Sequence, residues 1–158
     1  MSWTSELVVD DEAIRSNAAY FATATGGRLM AVLKADAFGH GAIAQSVLAA
    51  GATSIGVTSI DEALAVRAAG VSAPILSWLN PVDADFAAAV AGDIDLAVQS
   101  ARLLHAVSRA AALLGRRARV HLHIDVGMAR DGAPASDWSA LCGVARELET
   151  LGSIRVVG

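Results

Sequence analysis

Six short apolar, β-branched segments alternate with helical segments along 158 residues, and the loop after the first of them lacks the GxGxxG spacing of a dinucleotide fold. Alternation of this kind implies parallel strands joined by right-handed crossovers. Together these observations predict an α/β fold, a partial (β/α)8 TIM barrel with about six of its eight parallel strands present. A complete barrel takes about 250 residues, and a sixth strand ends this chain, so residues 1–158 read as the N-terminal portion of a longer barrel protein.

Ser5–Val9 is short and leans apolar, and Asp10, Asp11 and Glu12 then supply acids suited to a helix N-terminus. That helix runs to about Ala24, with Ala13, Ile14, Asn17, Ala18 and Phe21 at helical spacing, and Gly26 and Gly27 end it. Leu29–Lys34 is the first strand, followed by a loop in which Gly39 and Gly41 flank His40. Helices are expected over Ala42–Ala50, Asp61–Ala69, Val82–Val90, Ala101 to about Leu114 and about Trp138 to Leu151. The remaining strands fall at Ser54–Ser59, Pro74–Leu79, Ile94–Gln99, Arg119–Asp125 and Ser153–Val157.

With 54% hydrophobic and 18% charged residues, the chain is built to bury a core. No apolar run approaches the ~18 residues of a transmembrane helix, and a net charge of -4 argues against a nucleic-acid surface. The N-terminus, MSWTSELVVDDE, carries acids where a signal peptide carries a basic region, which points to the cytoplasm. The one cysteine, Cys142, lies between apolar neighbours on a helical segment and reads as a buried reduced thiol.

Chemistry concentrates in two stretches. Lys34 ends the first apolar strand and is the only lysine, the other eleven basic residues being arginine. A half-desolvated lysine has its amine lone pair freed to attack carbonyls, so its position suggests a Schiff base; a snorkelling side chain at a strand edge is the plainer explanation. In the second stretch, RVHLHIDVGMARDG, strand alternation puts His121, His123 and Asp125 on one face. That face suits either part of a metal-hydrolase centre or a polar barrel interior whose members hydrogen-bond one another. Asp36 and His40 read as loop hydrogen-bonding residues, Trp78 as a strand-end aromatic in core or rim packing, and Arg116, Arg117 and Arg119 as a solvated basic cluster after a helix.

Lys34 to Gly41, KADAFGHG, resembles the signature of alanine racemases and their fold-type relatives, and His121, Asp125, Gly127, Met128, Arg130 and Gly132 resemble that family's second signature. The resemblance covers nearly the whole chain. It implies a barrel whose Lys34 holds pyridoxal 5'-phosphate as an imine and then acts as the base on one face of alanine. By the same resemblance Arg130 contacts the substrate carboxylate. Two positions depart from the family. Phe38 stands where a tyrosine hydroxyl reaches the cofactor phosphate, keeping the ring at that cofactor-binding position without the hydrogen bond. His123 stands where many members have a lysine, often carbamylated.

The implied activity is an isomerase interconverting L- and D-alanine as a cytoplasmic homodimer and supplying D-alanine for peptidoglycan. In the family the opposite-face tyrosine comes from the C-terminal β domain of the other subunit, and the pyridine-nitrogen arginine and main phosphate loop lie beyond residue 158. Tyr20, the only tyrosine, is in the first helix, so these residues alone are expected not to racemise alanine. The alternatives are a broader amino-acid racemase or D-amino-acid lyase, a non-catalytic pyridoxal-phosphate carrier or regulator, and a metal-dependent hydrolase using His121, His123 and Asp125.

Overall fold

The computed structural model describes residues 5–158. Six strands, β1 (Met30–Val32), β2 (Ser54–Val57), β3 (Ile75–Ser77), β4 (Asp95–Val98), β5 (Ala118–Leu122) and β6 (Ile154–Val156), form one sheet in sequence order. Every neighbouring pair is parallel. Seven helices intervene: α1 (Asp11–Ala24), α2 (Lys34–Gly39), α3 (Ala44–Ala49), α4 (Ile60–Ala68), α5 (Phe86–Ala91), α6 (Ala101–Leu113) and α7 (Ala135–Thr150). A parallel sheet laid down in chain order is the wall of a β/α barrel, here open between β1 and β6.

Alternation along the strands sorts the two faces. Ile55, Val57, Ile75, Leu96, Val98, Val120 and Ile154, all wholly buried, form the helix-side core. Each such side chain contributes about 1.5–3 kcal/mol through removal from water. Leu103, Leu104, Val107 and Ala111 of α6 pack onto that core at helical spacing. The alternate residues, Met30, Ser54, Leu76, Asp95, Arg119 and His121, line a cavity on the other face. Gly56 belongs to this second face: a Cβ there would lie 2.7 Å from the Trp78 ring and 2.9 Å from Met30 Sδ, so only glycine lets the indole lie across β2.

Local chemistry explains the helix starts. Asp10 caps α1 by accepting from the amides of Glu12 and Ala13, Asp85 caps α5 and Ser100 caps α6. Three expectations need correction. Ala35–Gly39 is a helical turn and not an open loop. The β5 strand ends at Leu122, where its ladder with β4 stops at the Val98 pairing, so it does not reach Asp125. Cys142 is half-buried on α7 and a free thiol, short of the burial its neighbours suggest.

No helix among the described residues is long and apolar enough to cross a membrane. β1 pairs with β2 alone and β6 with β5 alone, which leaves each outer edge a template for further strands. The chain by itself is therefore expected to self-associate in sedimentation velocity; a monodisperse monomer that melts cooperatively would count against this.

Candidate active site

Parallel strands carry their C-terminal ends to one edge, where barrel chemistry collects. Lys34 follows β1 at that edge and is half-buried. Its Nζ lies 4.5 Å from the centre of the Phe38 ring, a cation–π contact. Between them the backbone is unusual: Ala35, Asp36, Ala37 and Phe38 have φ of 55°, 53°, 52° and 56°. This is one left-handed turn built of residues with side chains, a conformation that costs roughly 1–2 kcal/mol per residue. The turn closes through Ala37 N to Leu33 O, at 2.9 Å, and Gly41 N to Asp36 O, at 3.0 Å. His40 adds its Nδ1 to the Ala37 carbonyl at 2.7 Å, the loop role expected of it.

Glu62, from the first turn of α4, reaches this turn. Its Oε1 accepts from Ala35 N at 2.7 Å, while Oε2 accepts from Thr58 N at 2.8 Å and Ser59 N at 3.3 Å. Burial alone would raise the Glu62 carboxyl; the amides of Ala35, Thr58 and Ser59 and the Lys34 charge outweigh it and hold the carboxyl below its usual range. Sequence reasoning missed Glu62. The Ser59-Ile60-Asp61-Glu62 spacing signals a capping box, which the structure contains, but nothing local announces a partner 27 residues upstream.

The second stretch divides three ways. His121 Nε2 lies 3.4 Å from Asp95 Oδ2, and Arg119 binds the same carboxylate through two bonds of 2.6 and 3.0 Å. His123 Nδ1 lies 3.5 Å from Asp131 Oδ2, both atoms buried with no hydrogen-bond partner among the described residues. Asp125 Oδ1 accepts from Gly127 N at 2.9 Å and Ala129 N at 3.1 Å, and these amides hold its carboxyl below the usual range. The side chains of His121, His123 and Asp125 therefore go to separate partners and are not hydrogen-bonded to one another. The strand has ended and the chain doubles back, with Asp125 N on Ala133 O and Ala133 N on His123 O. Gly132, at φ 104°, permits this return, since a Cβ would sit 2.5 Å from Asp125 N. Among the described residues no three His, Cys, Asp or Glu side chains are grouped to hold a metal ion.

Arg130 is exposed in the loop between β5 and α7, at the same sheet edge as Lys34. Neither nearby acid holds it, because Asp125 faces the loop amides and Asp131 faces His123. In the basic cluster after α6, Arg116 and Arg117 are exposed, as a solvated face requires, and donate to Ala91 O and Gly152 O, while Arg119 departs from it by turning to Asp95. Trp78 packs over Gly56 beside Met30, on the cavity face.

A family model described as "Alanine racemase, N-terminal domain" matches residues 9–158. The alanine racemase of Mycolicibacterium smegmatis is 44% identical over 158 residues, which cover 98% of this chain and 41% of that protein. That of Frankia casuarinae is 46% identical over 154 residues, covering 96% and 40%. The crystal structure of alanine racemase from D-cycloserine-producing Streptomyces lavendulae superposes with a TM-score of 0.93 at 36% identity, over 95% of this chain and 40% of that one. An open six-stranded parallel barrel wall with a lysine at the end of its first strand is thus the architecture of a known enzyme class. The chain belongs to the alanine racemase family, through its N-terminal domain. It spans about two fifths of the length of the relatives it matches.

Asp95 is the most deeply placed acid on the cavity face, 5% exposed. Burial would raise its carboxyl, but His121 and Arg119 lower it below the usual range. A depressed folded value means the stabilisation is complete above the unfolded value near 4 and drains as pH falls through the folded one. Asp95→Asn is expected to cost ~2 kcal/mol at neutral pH, less than for a fully buried pair because Arg119 is part-exposed. The loss should shrink toward acid pH in urea titrations.

Proposed function

We propose that this chain is the lysine-bearing barrel portion of an alanine racemase and that Lys34 is the attachment point for pyridoxal 5'-phosphate. The observation carrying this reading is the position of the only lysine, half-buried at the C-terminal end of β1, in a chain of this family. The surroundings fit an aldehyde cofactor at that end. An aromatic ring lies against Nζ, and at Gly39 and Gly41 nothing lies within 4 Å of where a side chain would start, leaving the turn's backbone approachable. Phe38 supplies a ring surface but no hydroxyl, so its side chain offers the phosphate no hydrogen bond.

Bound there, pyridoxal phosphate would supply an electron sink for the pair left when a substrate α-proton departs. In this reading Lys34 Nζ serves one face of alanine, taking the α-proton there in one direction of the reaction and delivering one there in the other, while a second group does the converse on the opposite face. Arg130, a permanently charged planar fork without an internal counter-ion, binds the substrate carboxylate. Tyr20 is exposed on α1, in the helix layer, and does not serve the opposite face; that group comes from elsewhere in the protein. The reading extends to a cytoplasmic homodimer that supplies D-alanine for peptidoglycan.

Incubation with pyridoxal phosphate followed by borohydride is expected to leave a pyridoxyl group on Lys34, read by peptide mass mapping, and none in Lys34→Arg. An adduct confined to the amino terminus of a folded protein would overturn the reading. In the full-length protein, Arg130→Ala is expected to lower kcat/KM for alanine by on the order of 10²-fold, the loss of one charged carboxylate contact, with pyridoxyl labelling of Lys34 retained.

A further inference from the structure

We propose that Glu62 is a positioning residue for Lys34, holding the left-handed turn that follows the lysine against the N-terminus of α4. The inference rests on Lys34 being the attachment residue. Four successive left-handed residues carry backbone strain, and such strain persists only where the surroundings over-determine it. The turn's own hydrogen bonds close it, and the backbone ties that leave residues 33–41, Leu33 N on Gly56 O and Ile43 N on Gly41 O, lie before and after the four left-handed residues. Glu62 Oε1 on Ala35 N, at 2.7 Å, is the side-chain tie at its first left-handed residue.

That bond lies outside the capping box, which needs only the Ser59 amide and the Ser59 hydroxyl. The base of the tie is also fixed. Ile60 and Ala63 are buried in the core on either side of Glu62, and the Ile60 amide donates to Asn80 Oδ1 at 3.0 Å. A carboxylate mounted on that rigid first turn therefore fixes where the residue after Lys34 sits, and with it the direction in which the lysine leaves the strand. The Lys34 charge also acts on this carboxylate.

Because the chain has one lysine, acetic anhydride at neutral pH reports on Lys34 directly, with the amino terminus as internal standard and no cofactor present. Amide hydrogen exchange at Ala35, referred to Ile55 of β2, reports on the turn. Glu62→Ala is expected to speed Ala35 exchange by about tenfold or more and Lys34 acylation by about threefold. Ser59→Ala, which removes only a cap bond, should leave both within about a factor of two. Glu62→Gln, equal in size but able to accept on one side only, should move both readouts in the same direction and serves if the alanine variant does not fold. Wild-type rates in the Glu62 variants, equal changes in Ser59→Ala, or loss of the whole fold in both Glu62 variants would each overturn the proposal. Failure of pyridoxyl labelling in the unsubstituted chain would instead remove the role of Lys34, a separate result.

Discussion

All six strands run in one direction, and the arrangement of chemistry depends on that constraint. A parallel ladder sends every strand's C-terminal end to one edge, so residues far apart in sequence, Lys34 after β1 and Arg130 after β5, arrive on the same side of the sheet. The same constraint demands a crossover between each pair of strands, and the helices of those crossovers cover one face with Ile55, Ile75, Leu96 and Val120 beneath them. The opposite face is left for side chains that suit a barrel interior. Packing on one side thus releases the other for polar groups.

Those polar groups separate along the strand axis. Asp95 opens β4 and Arg119 lies near the start of β5, so the carboxylate and its guanidinium partner sit in the first half of the strands, with His121 two residues further along β5. Lys34, Trp78, His123 and Arg130 follow strand ends. An ion pair in the lower half fits a bracing role between neighbouring strands, since its partners satisfy one another and leave little for a ligand. At the upper edge the opposite holds: Arg130 has no ion-pair or side-chain hydrogen-bond partner among the described residues, and the buried His123 and Asp131 atoms approach each other without closing a hydrogen bond. Unsatisfied groups cluster where chemistry is expected and satisfied ones where the wall must hold.

The rhythm of strands and helices is legible in the sequence because each strand is a short β-branched run and its neighbours carry helix caps and terminal glycines, all local signals. Lys34 is legible because it stands alone among the basic residues and ends an apolar run. Three features are not legible, and each depends on something distant. The left-handed turn has alanines, an aspartate and a phenylalanine where local preference asks for glycine, and its tether comes from a helix that begins 26 positions after Lys34. The end of β5 is set by where β4 stops offering partners, and beyond Leu122 the chain pairs instead with Ala133, a residue no local pattern announces. The arginines of 116–119 look alike in sequence, yet their long side chains reach the end of α5, the loop after α7 and the carboxylate of Asp95.

The two departures from the family signatures bear differently on the site. Phe38 leaves the position's aromatic surface in place, and in this structure that surface lies against the Lys34 ammonium, a contact worth ~0.5–1 kcal/mol at an exposed site. Attack on a carbonyl needs the amine free to approach it, so the ring must yield the lysine when a carbonyl arrives. With 65% of Phe38 exposed, little packing resists that movement. His123 is the more consequential change. By facing Asp131 it turns the nearest acid inward, and with Asp125 held by Gly127 and Ala129, the loop provides no anion of its own for Arg130. A guanidinium left in that condition has its full charge available to a carboxylate from outside, at the cost of a less fixed direction.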